Sequence, residues 1–166
     1  MLPQSPTPTP SSPEPTTAAA PSGWPTAGRG TVRLSGTFDV PDPSRAAVAT
    51  LSFEERGLAP GASVEFRLSG AYAVRFWICY RAGQSDPSTM IGKGSTEGVA
   101  ESGIRLRADP AGTIRGTLHL APSRPAGTCP TDNPLLGNRG GHWANVELHD
   151  LTNRLILGPT NVYWMV

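Results

Sequence analysis

The chain has 166 residues and a formal net charge of +1, and it is rich in glycine (19) and proline (18). Its basic residues are scattered rather than run together, so nucleic acid and anionic lipid are not expected as partners. No window approaches the roughly 18 apolar residues of a membrane span, so direct membrane insertion of the folded domain is not expected either.

Residues 1–30 alternate proline with threonine, serine and alanine, which predicts an extended linker. Proline fixes φ near the polyproline II value and restricts the residue before it, so the segment should be stiff. At about 3.1 Å per residue, the proline-rich stretch from Pro3 to Pro25 has a reach on the order of 70 Å. We interpret it as a spacer that holds residues 31–166 away from a wall, membrane or assembly. A tail that serves only solubility is the alternative.

From residue 31 onward, apolar residues recur mostly at every second position, which predicts β-strands with one buried face. The pattern places strands over residues 32–40, 47–53 and 64–68, the last of them ending at Gly70. The strongest strand covers residues 72–80, where the even positions are apolar. Residues 82–98 carry no period and are predicted to form a long loop.

Residues 104–120 are predicted to form a hairpin around Asp109-Pro110-Ala111-Gly112, which has the residue types of a type I turn. A second long loop is expected over residues 121–141, followed by strands near 143–149, 155–157 and 162–166. The turns recur about every dozen residues and no helical pattern is seen. The fold class is therefore all-β: an immunoglobulin-like or related Greek-key β-sandwich with eight or nine strands.

The chain has two cysteines, Cys79 and Cys129, which are predicted to form a disulfide. Closing a loop of about 50 residues would stabilise the fold by roughly 4 kcal/mol on the chain-entropy model. Two buried free thiols are the alternative. Immunoglobulin domains also join strands by a disulfide beside a tryptophan, and here Trp77 lies two residues before Cys79. The chain resembles them in general architecture over residues 31–166, and this resemblance carries no functional residues.

The location is predicted to be secreted, periplasmic or cell-surface. No signal peptide is visible after Met1, so we expect a leader or lipid anchor to precede this segment. The linker and the predicted disulfide both suit an exported protein. A cytosolic location is the alternative.

No motif predicts catalysis, a metal site or a cofactor. Gly92-Lys93-Gly94-Ser95 lacks the serine or threonine that follows the lysine of a phosphate-binding loop. Three histidines are too few for a convincing zinc or copper site. Calcium remains an alternative, although turn chemistry also explains the aspartates at strand ends and in loops, which are Asp39, Asp42, Asp109, Asp132 and Asp150. The protein is predicted not to be an enzyme, and the alternative is a site built from residues 82–98 and 121–141.

The main functional clue is the predicted outward face of two strands. If the even positions of residues 72–80 are buried, Arg75 and Trp77 point outward. If Ala144, Val146 and Leu148 are buried, four further side chains point outward, namely Trp143, Asn145, Glu147 and His149. Burial of Trp77 beneath a loop is the alternative.

An aromatic and polar surface of this kind suits a protein interface or a sugar. We therefore expect a non-catalytic, exported interaction module that contacts another protein or assembly at the cell envelope. A carbohydrate-binding module that uses the aromatic face to bind a polysaccharide is the alternative.

Overall fold

The computed structural model describes residues 26–41, 47–84, 86–125, 127 and 140–165. These residues form eight strands and one short 3-10 helix, Pro87–Thr89. The strands are β1 (Ala27–Arg29), β2 (Val32–Asp39), β3 (Ala49–Arg56), β4 (Ser63–Tyr80), β5 (Met90–Arg107), β6 (Ile114–Leu120), β7 (Gly140–Asp150) and β8 (Leu155–Met165).

The strands form two four-stranded sheets, and all neighbouring strands are antiparallel. The first sheet has the order β1-β2-β3-β6, and the second sheet has the order β5-β4-β7-β8. The predicted all-β sandwich is confirmed, while its immunoglobulin-like character stays a prediction.

The core lies between the sheets and is built by the period-two pattern. Leu34, Leu51 and Phe53 of the first sheet face Phe66 and Leu68 of the second, and each is at most 4% exposed. The rings of Phe53 and Phe66 lie 4.6 Å apart between centroids. Fully burying a side chain of this kind contributes about 1.5–3 kcal/mol, so the alternation alone supplies a strong drive for the two sheets to pack.

The predicted loop over residues 82–98 is wrong, because β5 begins at Met90. Its inward positions opposite two aromatic residues are glycines: Trp77 pairs with Gly94 and Tyr72 with Gly98. A Cβ on Gly94 would lie 2.1 Å from the Trp77 indole, and one on Gly98 would lie 2.9 Å from the Tyr72 hydroxyl. Side chains from β4 therefore fill the space above β5, and the strand needs no apolar alternation of its own.

The hairpin predicted over residues 104–120 is also wrong, although its turn is correct. Gly112 N donates to Asp109 O at 2.9 Å, and the Asp109 carboxylate accepts from the backbone of Ala111 and Thr113. The two flanking strands, however, belong to different sheets. The turn is instead paired with the connection between β3 and β4, where Leu58 N donates to Gly112 O at 3.1 Å.

Several strand boundaries differ from the predicted ones. β1 lies within the segment that was assigned to the linker, because Ala27–Arg29 pairs with β2. β4 continues through Gly70 without a break, and β8 joins the two predicted C-terminal strands into one. Residues 1–25, Asp42, Cys129 and Asp132 lie outside the described residues, as does most of the predicted loop 121–141.

Candidate functional site

Trp143 was predicted to face outward, and this is wrong. It is 0% exposed, and its indole Nε1 donates to the carbonyl oxygen of Ala47 at 2.9 Å. Its ring lies 5.3 Å from that of Tyr72, centroid to centroid. Trp143 is therefore a core residue that connects β7 to Ala47, two residues before β3, and it cannot contact a ligand from the surface.

A β-bulge at Asn145 is the physical reason. Asn145 has φ of +51°, and its backbone N donates to Asn161 Oδ1 at 2.8 Å. The pairing with β4 shifts by one residue here, so Trp143 and Val146 are both buried although their positions differ in parity. Gly70 leaves the room for this arrangement, since a Cβ there would lie 2.9 Å from Val146 and 3.4 Å from Trp143. Asparagine tolerates the left-handed region better than most residues.

Trp77 also leaves the candidate face because of a second bulge. Arg75 pairs with Ser95, whereas Trp77 pairs with Gly94, so Phe76 is the extra residue. Cross-strand partners share a face and adjacent residues of a strand do not. Arg75 and Trp77 therefore point to opposite faces, and the half-buried indole of Trp77 packs over Gly94.

The other four predicted residues remain accessible on the second sheet. Arg75 and Asn145 are exposed. Glu147 and His149 are half-buried and form a pair on β7, with Glu147 Oε2 2.9 Å from His149 Nε2. The register places Glu147 opposite Ser69 and His149 opposite Arg67, both of which alternate with buried residues of β4. Arg75, Glu147 and His149 therefore share the outward side of the second sheet, and neither tryptophan lies there.

The outward face of the second sheet has a floor of small side chains on its two central strands. Ala71 pairs with Ala144, and Ala73 lies two residues further along β4. The two edge strands carry larger side chains in the same rows: Val99 lies opposite Ala71 on β5, and Tyr163 lies opposite His142 on β8. We call this surface the outer trough.

One row of the outer trough crosses all four strands. It runs from Glu97 on β5 through Ala73 and His142 to Tyr163 on β8. The rings of His142 and Tyr163 lie 5.2 Å apart between centroids, with 32° between their planes. Arg75 and Ser95 occupy the next row, and an open cleft of about 750 Å³ covers this end of the trough.

The walls of the outer trough carry exposed apolar side chains. Tyr163 and Met165 are 71% and 86% exposed on β8, and Val99 is 75% exposed on β5. Ile156, which pairs with His149, is 52% exposed at the other end of β8. Exposed apolar groups that share one face with polar neighbours are typical of a binding surface.

Two charged side chains of the trough have no ion pair within the described part of the chain. These are Arg75 and Glu97, whereas the neighbouring Arg67 lies 3.5 Å from Glu101 and Arg105 lies 2.7 Å from Glu65. The pairing of Glu65 with Arg105 lowers the pKa of that carboxyl. The trough thus presents one cation and one anion that are available to a ligand.

Cys79 is 0% exposed near the end of β4. Its predicted partner Cys129 lies outside the described residues, so the disulfide stays a prediction.

No group of three or more histidine, cysteine, aspartate or glutamate side chains is placed to hold a metal ion within the described ranges. Two of the aspartates considered for calcium, Asp109 and Asp150, use a carboxylate oxygen to accept backbone N–H groups of turns.

Sequence reasoning missed the residues that contribute most to the trough, namely Glu97, Val99, His142, Tyr163 and Met165. Glu97 fell in the stretch predicted to be a loop, and Val99 lies directly after that stretch. Gly70 was the available signal for the bulge, since a glycine inside a strand often marks a bulge or a close approach.

A comparison with protein-family models finds no match, and a search of curated proteins finds none with significant similarity. Within the described residues, no helix has the length and apolar character needed to cross a bilayer.

Proposed function

We propose that the protein is a non-catalytic interaction module whose outer trough binds an extended segment of a partner protein. The observation that carries this proposal is the placement of Arg75 and Glu97, which have no ion pair among the described residues, beside the exposed apolar walls of one sheet face. The alanine floor leaves space for a bound chain to lie along β4 and β7. The predicted linker N-terminal to β1 would present this face at a distance from its attachment point.

The composition of the trough favours a peptide over a neutral polysaccharide. Tyrosine, methionine and arginine are enriched in protein interfaces. Aliphatic side chains such as Val99 and Ile156 lack the flat surface on which a sugar ring packs. A peptide supplies both an acidic group for Arg75 and a basic group for Glu97, whereas an uncharged sugar chain would offer neither of them a group of opposite charge.

The partner is proposed to belong to the cell envelope, since the linker and the predicted disulfide both suit an exported protein. This part of the proposal has its own test. Natively isolated protein should migrate faster on a non-reducing gel than on a reducing gel and should contain no reactive thiol. Two thiols that react with a maleimide in the denatured, unreduced chain would contradict export and favour a cytosolic location.

The binding proposal is tested by photo-crosslinking at the trough. A benzophenone amino acid replaces Tyr163, and a matched variant carries it at Thr117, which is exposed on the outward face of the first sheet. We expect a discrete crosslinked product with native envelope proteins from position 163 and none from position 117. Equal products from both positions, or none from either, would refute the proposal.

A trough-filling substitution adds a second arm to this experiment. Ala73→Arg places a long side chain on the floor, and Thr117→Arg adds the same charge to the first sheet. Crosslinking from position 163 should be lost with Ala73→Arg and retained with Thr117→Arg. Circular dichroism and thermal unfolding should show that both variants keep the fold.

Carbohydrate binding is the second candidate, and the neighbouring rings of His142 and Tyr163 favour it. An exposed aromatic side chain beside Arg75, Ser95 and Glu97 could bind a sugar ring and its hydroxyls. Retention of the parent protein on insoluble polysaccharides, with loss of retention in Tyr163→Ala, would support this candidate over a peptide.

A further inference from the structure

Two carboxyl groups are buried against each other between the sheets. Glu55, on β3 of the first sheet, is 0% exposed, and Asp150, the last residue of β7 in the second sheet, is 1% exposed. Buried carboxyl groups are rare unless they have partners, because the charged form loses its hydration. This pair therefore requires a physical explanation.

The hydrogen bonds account for half of the four oxygen atoms. Asp150 Oδ1 accepts from the backbone N of Thr152 and of Asn153, both at 2.9 Å, and so closes the turn between β7 and β8. Glu55 Oε1 lies 3.4 Å from Asn153 Nδ2. The remaining oxygens, Glu55 Oε2 and Asp150 Oδ2, are buried and have no donor in the described part of the molecule.

The strands around the pair supply no neutralising charge. Glu55 is flanked by Leu34 on β2 and Ile114 on β6. Asp150 is flanked by Phe66 on β4 and Leu155 on β8. The charged neighbours of Glu55 along β3, Glu54 and Arg56, pair with each other, and they alternate with it to the opposite face.

Among the described residues, the titratable groups that face this site are thus Glu55 and Asp150 themselves, with Asn153 as the polar neighbour. Two adjacent carboxylates with no cation cannot both stay ionised at low cost. A single proton on one of these two oxygens would let that oxygen donate a hydrogen bond to the other. Burial, and then the adjacent Asp150 carboxyl, raise the pKa of Glu55 to about 8.

We propose that Glu55 and Asp150 share one proton, and that the resulting hydrogen bond joins the two sheets at this end of the sandwich. The folded state is therefore less stable when the pair loses that proton. The Glu55–Asp150 pair is separate from the outer trough, which lies on the other side of the second sheet.

The direction of the pH dependence follows from linkage. The pKa of an unperturbed glutamate is 4.5, and the pKa of Glu55 in the folded protein is raised to about 8. The contribution of the shared proton is therefore complete below pH 4.5 and is lost as the pH rises through about 8. Between those values the folding equilibrium constant should fall by up to about tenfold per pH unit.

The experiment is urea unfolding of the full chain at half-unit steps from pH 5 to pH 9, for the parent and two variants. In Glu55→Gln the amide donates to Asp150 at every pH and does not titrate. In Asp150→Asn the amide can donate to an ionised Glu55, so the glutamate no longer needs a proton. We expect the parent to lose stability with rising pH relative to both variants.

The control is Glu54→Gln, which removes the adjacent carboxyl on the outward face and should leave the parent's slope between pH 5 and pH 9 unchanged. A purely structural role for Glu55 would displace the stability curve of Glu55→Gln without altering its slope. Parallel curves for the parent and both variants would overturn the proposal.

A measurement on the unaltered chain guards against variants that fail to fold. A carbon-13 NMR titration of the glutamate carboxyls should show one that titrates near 8. If every glutamate titrated below 5.5, no shared proton would exist and the proposal would be wrong.

Discussion

The outward faces of the two sheets differ in kind. On β2, β3 and β6 of the first sheet, every residue that alternates with a core position on the outward side is polar: Arg33, Ser35, Thr37, Asp39, Thr50, Ser52, Glu54, Arg56, Arg115, Thr117 and His119. The outward face of the second sheet instead has an alanine floor and exposed Val99, Ile156, Tyr163 and Met165.

The polar groups of the first sheet also satisfy one another. Glu54 pairs with Arg56, and its second oxygen lies 2.7 Å from Arg115 Nε. Thr50 Oγ1 lies 3.1 Å from His119 Nδ1. On the second sheet, Arg75 and Glu97 have no such partners among the described residues. The contrast shows how one sandwich can hold a face suited to water and a face suited to a ligand, because both faces alternate with the same core.

The largest expected effect is on the free energy of unfolding, and it distinguishes a buried aromatic residue of the second sheet from an exposed one. Trp143→Ala should lower the free energy of unfolding by about 3–5 kcal/mol, because it opens a cavity and removes the hydrogen bond to Ala47. Tyr163→Ala should change it by less than about 0.5 kcal/mol, as expected for an exposed residue. Urea unfolding of both variants measures this, and a small effect at Trp143 would contradict its assignment to the core.

The next effect concerns binding at the trough. Tyr163→Ala should weaken binding of the captured partner by about 2 kcal/mol, or roughly 30-fold, as for an aromatic residue central to an interface. His119→Ala, the matched aromatic truncation on the first sheet, should leave the affinity unchanged. Calorimetric titration measures both. Equal losses would mean that the two faces do not differ in function.

A smaller effect is expected from the unpaired cation. Arg75→Gln should weaken binding by about 1 kcal/mol and reduce its dependence on salt, because a charge pair with the partner is lost. Arg33→Gln on the first sheet is the control and should alter neither quantity. An affinity for Arg75→Gln that equals the parent's at low and high salt would show that this arginine meets no anion.

The smallest effect tests the internal pairing of the first sheet. Arg56, followed by Arg115, lowers the pKa of Glu54. Its contribution to stability is therefore present above pH 4.5 and is lost as the pH falls through the lowered value. Glu54→Gln should be slightly less stable than the parent at pH 7, and the difference should be smaller near pH 3, as followed by thermal unfolding. A constant difference at both pH values would contradict the pairing.

The sequence by itself determined the all-β class, the chemistry of the turn at residues 109–112 and most core positions, since these depend on local alternation and on turn residues. Only the tertiary structure decided which way Trp77 and Trp143 point. Each lies beside a bulge, and the bulge at Trp143 depends on the space left by Gly70 on a neighbouring strand.

The tertiary structure also decided that β5 and β6 separate into different sheets. That separation is accompanied by a hydrogen bond from Leu58 N to Gly112 O, two residues that are 54 positions apart along the chain. The alternation of apolar residues predicts which side chains of a strand face the core. It does not predict where a single extra residue, a β-bulge, reverses that alternation. The reason is that room for the extra residue is provided by residues far away in the sequence.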